Sequence, residues 1–412
     1  MSLSARSIWM QVGVIVLMLG CGSVAPAYGF AGGTGEPNSP YQITTAADLL
    51  SIGSNSKLLS KCFVLINDID LDPNLPGGRV FNDALIGRDS NASITGSSGG
   101  FRGVFDGQGH TIRHLCLAGK YGYDAGLFGI SHGLIENLHL KDVQVSGAPC
   151  GALIGHTVSG AMILRCSVTG KVTGSNYVGG LVGTVLDATI MACESRADVA
   201  GDANSVVGGL AGSLSIYTCR VIECRADGMV TGGQAAGGLI GSSSWHAMIV
   251  RCAAVGPVAA AGAAGGLIGR VFSSSSVIDC YARGSVAGSV AGGLIGDGGA
   301  GFRTYILNSY AAGETFGVAD GKTPPIVGGL LGKRNWMYPV YLIDGCFWDA
   351  QRSQVPVATG STLADFGMGL TTKQMQQRTT FEQAGWDFGY TWAMPEGDYP
   401  VLQWEMTQGK ND

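Results

Sequence analysis

The chain has 412 residues, a net charge of −5, 46% apolar and 13% charged residues, and 68 glycines. So apolar a composition argues against a disordered Gly-rich chain, and glycine without a strict triplet argues against collagen. The mild acidity and the lack of any Lys/Arg run argue against a nucleic-acid partner.

Residues 1–27 read as an export signal: Arg6 supplies a thin positive start, and Ile8 to Leu19 is apolar but too short to span a bilayer. Ala25-Pro26-Ala27 fits a cleavage site before Tyr28, while Met18-Leu19-Gly20-Cys21 offers a loose lipoprotein alternative with a lipid anchor at Cys21. No later segment reads as a transmembrane helix. The expectation is an exported protein, extracellular or associated with the cell surface or outer membrane.

Next comes an opening that differs from the rest. Thr45-Ala46-Ala47-Asp48-Leu49-Leu50 reads as a short capped helix, and Phe63 to Leu71 as a first strand with polar residues outward. Within it Asp68, Asp70 and Asp72 alternate beside Asn67 and Asn74, a spacing that suggests a loose structural Ca2+ site or a solvated edge. An EF-hand loop is excluded, since Pro73 and Arg79 stand where Gly and Glu are needed. No other cofactor is expected.

From Gly126 onward one unit repeats. Gly-Leu-x-Gly begins at Gly126, Gly180, Gly209, Gly238, Gly266, Gly293 and Gly329, with the degenerate Ala152-Leu153-Ile154-Gly155 filling the gap. Successive copies start 26, 28, 29, 29, 28, 27 and 36 residues apart. Such a period means stacked repeats. Each unit adds a polar turn, a β-rich run ending in Cys (Ile163-Leu164-Arg165-Cys166, Ile190-Met191-Ala192-Cys193, Val221-Ile222-Glu223-Cys224, Ile249-Val250-Arg251-Cys252, Val277-Ile278-Asp279-Cys280), and a closing alternating stretch. The period of two and the lack of long helical patterns predict an all-β, single-stranded parallel β-helix (a β-solenoid), right-handed, with short helical caps at both ends. The glycines are expected at corners with positive φ, and the Leu side chains are expected to stack inward. About ten coils at 4.8 Å give a rod of roughly 50 Å.

The cysteines at equivalent places, continued by Asn308 and Cys346, predict a buried thiol ladder rather than disulfides. Cys62 with Cys116, and Cys219 with Cys224, are left as candidates for a bridge. The domain reading is a signal at 1–27, the β-helix at 38–350 and a capping tail at 351–412. In the tail, Thr371 to Gln377 and Thr380 to Ala384 read as short helices, and Trp386 to Trp404 is aromatic enough to fold over the last coil.

These residues resemble the GLUG motif of bacterial exported, adhesin-like β-helix proteins. The likeness extends to Pro40-Tyr41-Gln42-Ile43, Asn67-Asp68-Ile69-Asp70-Leu71, Phe105-Asp106-Gly107-Gln108-Gly109, Cys346-Phe347-Trp348-Asp349, Thr372-Lys373-Gln374-Met375 and Asp398-Tyr399-Pro400, covering about 38–404. The resemblance implies architecture and a surface or secreted setting, and brings no catalytic residue. Its link to immunoglobulin-A peptidases implies a His-Glu-x-x-His helix, yet none of the 6 histidines is followed by Glu.

Other chemistry is sparse. Gly296 to Gly301 has dinucleotide spacing but no following helix, and neither a Gly-x-Ser-x-Gly elbow nor a Walker loop occurs. Asp187, Asp198, Asp227 and Asp279 occupy non-equivalent places, so no carboxylate pair of the kind glycosidases use is forced together. Rings do recur after the motif: Tyr217, Trp245, Phe272, Phe302 and Trp336, with His246, Arg303 and Arg334 beside them. Stacked coils would align them along one edge, either to grip a polysaccharide or surface protein or to pack under their own turns. The expectation is a binding protein; a polysaccharide lyase or glycosidase on the same fold and a ligand-free envelope scaffold are the alternatives.

Overall fold

The computed structural model describes residues 29–88, 99–120, 122, 124–216, 218–299, 304–319, 323–334, 341–361 and 367–408. The signal and the Cys21 anchor lie outside the described residues. The repeats form a parallel β-solenoid. One turn comprises Met162–Leu164, Ser167–Gly174, Tyr177–Gly179 and Val182–Leu186. Each strand pairs in register with its counterpart one turn away, building sheets of 11, 16, 7 and 8 strands in that order. The seven-stranded sheet limits complete four-sided turns to seven. The expected ten or so coils are thus seven complete turns, and the length of roughly 50 Å is reached only in the eleven-stranded sheet, which continues into the incomplete turns at the ends.

The motif leucines face inward as predicted. Leu153, Leu181, Leu210, Leu239, Leu267 and Leu294 are fully buried. From Leu153 to Leu294, each donates its N–H to the carbonyl of the leucine one turn on, at 2.9–3.0 Å, the last reaching Leu330. Burying each such side chain stabilises by about 1.5–3 kcal/mol, so the stack is a main source of cohesion.

The glycines work differently from the expectation. No motif glycine has positive φ. They are needed for closeness: a Cβ on Gly180, Gly209, Gly238, Gly266 or Gly293 would lie 2.1–2.2 Å from the carbonyl oxygen of the equivalent glycine one turn on. The glycine just before the motif is equally constrained, since a Cβ on Gly237 would meet the Ile240 oxygen at 1.9 Å. The working unit is therefore Gly-Gly-Leu-x-Gly, in which two strands pass backbone to backbone.

Positive φ belongs instead to the residue before each position of the cysteine row, including those held by Leu138 and Ser309. Asn137, Arg165, Ala192, Glu223, Arg251, Asp279 and Asn308 have φ of 47–53° and form one column. Each donates its N–H across this corner to the next turn, as Arg165 does to Met191 and Arg251 to Ile278, both at 3.0 Å. Left-handed backbone costs about 1–2 kcal/mol per non-glycine residue, so these hydrogen bonds hold a locally unfavourable corner in place.

The thiol ladder forms. Cys166, Cys193, Cys224, Cys252 and Cys280 are buried, and all ten cysteines among the described residues are free, including Cys62, Cys116 and Cys219. Neither leftover pair is bridged. The row continues through Ser309, not Asn308: the Cys280 N–H donates to Ser309 Oγ at 3.0 Å, while Asn308 aligns with Asp279 at the corner. Burial pushes the Cys150 and Cys346 thiols up to about 12 and raises Cys166, Cys224 and Cys280 as well. They stay protonated, in keeping with an apolar role.

Both ends carry helices. The first, Ala46–Ser54, starts at a Thr45–Asp48 capping box. The run read as one strand is two, Cys62–Leu65 and Ile69–Asp70, because the chain turns a corner between sheets there. Near the other end Thr372–Met375 has the expected Thr371 cap. Arg378–Glu382 begins before Thr380 and has no side-chain cap.

The stack continues beyond residue 350: Met368–Leu370 pairs with Phe347–Asp349, and Leu330 donates to the Ala358 carbonyl. The aromatic tail then runs back along the outside of the sixteen-stranded sheet rather than only over the last coil. Tyr310 stacks on Tyr281 and Tyr399 with centroids 5.2 and 6.1 Å apart. Arg283 lies over these three rings and donates to the Tyr399 and Pro400 carbonyls at 2.9 and 3.0 Å. Further back Glu405 pairs with Arg225 and accepts from the Tyr281 hydroxyl, and Trp404 donates to the Arg251 carbonyl. The strap thus ties together the turns from Arg225 to Phe347.

His156 gives the fold an acid sensitivity. It is buried, its Nε2 has no hydrogen-bond partner, and burial followed by the charge of His132 lowers it from 6.5 to about 4. The unfolded chain binds this proton more readily, so the stability that depends on it is complete above about pH 6.5 and declines as pH falls towards 4. The decline is about 3 kcal/mol. Denaturant unfolding of His156→Gln at several pH values should lack this slope; an unchanged slope would place its origin elsewhere.

Candidate functional site

The turn leading from the eight-stranded to the eleven-stranded sheet brings two of the predicted rings to the surface. Trp245 and Phe272 are 60% and 50% exposed. The pairing of Ser243 with Val271 puts them on adjacent turns, one residue out of step. Trp245 and His246 are both left-handed, with φ of 54° and 60°. Their N–H groups are held by Ser273 Oγ at 2.7 Å and the Ser274 carbonyl at 2.6 Å. Two successive strained non-glycine residues point the indole away from the core instead of under its turn. Ile216, on the preceding turn, is also exposed and left-handed. The Arg270 guanidinium sits 5.6 Å from the Phe272 centroid, leaving much of the ring open to solvent.

Tyr217, Phe302, Arg303 and Trp336 lie outside the described residues. Arg334 is half-buried, and its N–H donates to Ser361 Oγ at 2.8 Å. His246 is exposed beside Trp245.

At the opposite end, the carboxylates of Asp68, Asp70 and Asp72 meet nitrogen donors, the Asp72 N–H on Asp70 among them, rather than one another's oxygens. Asp68 accepts from the Thr111 N–H at 3.0 Å and lies 3.2 Å from His110 Nδ1 and 3.1 Å from Arg113. Asp70 lies 2.8 Å from His114 Nδ1, and Asp72 accepts from Asn74. The Thr111 N–H chiefly lowers Asp68, and His114 lowers Asp70 while being raised in return. Among the described residues no group of three or more His, Cys, Asp or Glu is placed to hold a metal.

One acidic cluster escaped the sequence reading. Parallel register places Arg225 beside Glu194, and carries Asp227 beside Arg196. Arg196 lies 2.8 Å from Glu194 and 4.0 Å from Asp227, while Arg225 pairs with Asp227 at 2.7 Å and with Glu405. Burial raises Glu194. The signal was present in the 31-residue offset between Glu194-x-Arg196 and Arg225-x-Asp227. An acid–base pair needs room for substrate between the carboxyls; here arginines fill that room, so the cluster stitches turns to the tail.

Comparison with known proteins identifies the repeat motif. Residues 260–287 match the GLUG motif model. Halomucin of Haloquadratum walsbyi is 36% identical over 154 residues, 37% of this chain but 2% of its own length. A protein of Evansella cellulosilytica, provisionally named a Gly-rich membrane protein, is 36% identical over 109 residues, 26% of this chain and 11% of its own. The chain therefore spans only a small part of these relatives. Among solved structures, a Bacteroides ovatus protein provisionally described as an immunoglobulin A1 protease aligns over 91% of this chain and 95% of its own, at 20% identity and a TM-score of 0.45. Another, described as IgA1 protease, covers 74% of this chain and 21% of its own, at 15% identity and a TM-score of 0.44. No helix among the described residues is long and apolar enough to cross a membrane. With the motif model matched inside an array that carries the same motif turn after turn, the chain is a parallel β-solenoid built on the GLUG motif.

Proposed function

We propose that this is an exported, cell-surface or extracellular repeat protein that acts by binding, with a polysaccharide or another surface protein as its partner. The observation that carries the reading is the pair Trp245 and Phe272, exposed on adjacent turns, with Trp245 held out by left-handed backbone. Exposed rings on adjacent turns suit a linear glycan, whose apolar sugar faces stack on them while His246 and Arg270 supply donors. The surface setting is supported by the names of halomucin and the Gly-rich membrane protein. Without a substrate-sized opening between paired carboxylates, the Glu194 cluster gives less support to a lyase or glycosidase.

A glycan array probed with the wild type and with the Trp245→Ala, Phe272→Ala double variant tests this. Retention by the wild type, lost at least about tenfold in the variant at unchanged circular dichroism, is expected. Equal retention would end the ring-edge reading, and chain cleavage of a bound polysaccharide would favour the enzyme.

A further inference from the structure

The β-rich runs before each cysteine hold two apolar residues in succession, and the solenoid needs only one of them. Ile163, Ile190, Val221, Ile249, Val277 and Ile306 point inward and are buried. Alternation turns their neighbours outward: Leu164, Met191, Ile222, Val250, Ile278 and Leu307, paired in register on six consecutive strands of the eleven-stranded sheet. Leu164 is nearly covered, and the other five are half-buried. The outward column beside this stripe is mixed: Met162, Met248 and Leu342 are 41%, 37% and 49% exposed, and Thr189, Arg220, Ser276 and Tyr305 stand in register between them. Sheets with one wet face alternate apolar and polar, whereas parallel sheets apolar on both faces are covered on both. Six strands give an apolar stripe about 24 Å long, more than an isolated surface residue explains.

We infer that this face packs against the same face of a second copy, with the two solenoid axes antiparallel. The stripe is self-complementary about a two-fold axis lying along the strands, midway between Ile222 and Val250. That operation sets Ile222 opposite Val250 of the second copy, Met191 opposite Ile278 and Leu164 opposite Leu307. At the corner beside the stripe it brings Glu223 over Arg251 of the second copy, and the two already form a 2.9 Å pair within one chain. Glu136, which falls opposite Asp344 of the second copy, is neutralised by Arg165 at 2.6 Å. Two flat sheets meet face to face at about 10 Å, so small aliphatic side chains of this kind interdigitate without rearrangement. An isologous contact of this sort closes at two subunits. It is independent of the ring edge, and loss of glycan binding would leave it standing.

Sedimentation equilibrium of the full chain should show a dimer. Ile222→Glu should raise its dissociation constant at least about tenfold without changing the circular dichroism, because an exposed site accepts a carboxylate that a covered one rejects. As a check independent of folding, Met191→Cys mixed with Ile278→Cys should be joined by a bismaleimide reaching about 10 Å, the separation of packed sheets, while neither variant alone is, because each residue and its own copy are offset by a further three strand spacings. A wild type that stays monomeric at high concentration, a dimer indifferent to Ile222→Glu, or a mixture that does not cross-link would each overturn the inference.

Discussion

Gly238→Ala is expected to break the array in two. The new methyl would stand 2.1 Å from the Gly266 oxygen and 2.9 Å from the Ala254 Cβ, where real contacts stay beyond about 3 Å. Relief requires the next turn to move by roughly an ångström. That shift would loosen the Gly238 and Leu239 N–H bonds to the turn above, now 3.1 and 2.9 Å long. Overpacking and two weakened backbone bonds together cost about 4 kcal/mol. In a one-dimensional stack this loss falls on one interface. Thermal unfolding followed by circular dichroism should therefore change from one transition to two, with limited proteolysis cutting between the turns. Gly109→Ala is the control: its φ of +79° strains an alanine, but nothing lies within 4 Å of the new methyl. It should cost only about 1–2 kcal/mol and leave unfolding in one step. A Gly238→Ala variant as stable as Gly109→Ala would show that the turns can separate without cost.

The same glycines show what the sequence could convey. Their spacing revealed the period, the stacking and the inward leucines, because each depends on recurrence alone. Their reason was misread: a glycine chosen for positive φ and one chosen for close approach look identical in a sequence. The left-handed corner falls instead on Asn137, Asp279 and Asn308, types that favour it, but equally on Arg165, Ala192, Glu223 and Arg251, which do not, so no local signal marks the whole column. Ser309 rather than Asn308 in the cysteine row follows from strand pairing, which one residue of slip conceals. The acidic cluster needed the same knowledge of register. The backward course of the tail rests on contacts such as Glu405 with Arg225, 180 residues apart, for which no spacing rule exists. At the ring edge the sequence indicated where aromatics recur, while the exposure of Trp245 depends on backbone strain visible only in three dimensions.

Cys252→Asp should destabilise the solenoid more than any other single change in the thiol row. Cys252 has no exposed surface, donates to the Val221 and Val250 carbonyls, and its N–H donates to Cys280 Sγ. A carboxylate there would face carbonyl oxygens on two sides and thiols above and below. Its loss of hydration amounts to several kcal/mol, enough to open the surrounding turns. The pH dependence identifies the cause. The buried carboxyl would have a folded pKa raised above its unfolded value of about 3.9, so the penalty grows as pH rises and shrinks in acid. Cys252→Ser should cost no more than about 1 kcal/mol, since Ser309 already occupies this row, accepting from Cys280 and donating to the Leu307 carbonyl at 2.7 Å. Urea unfolding of both variants at pH 5 and 8 measures the difference. A thiol reagent that readily modifies Cys252 in the native wild type would refute the burial on which the contrast rests.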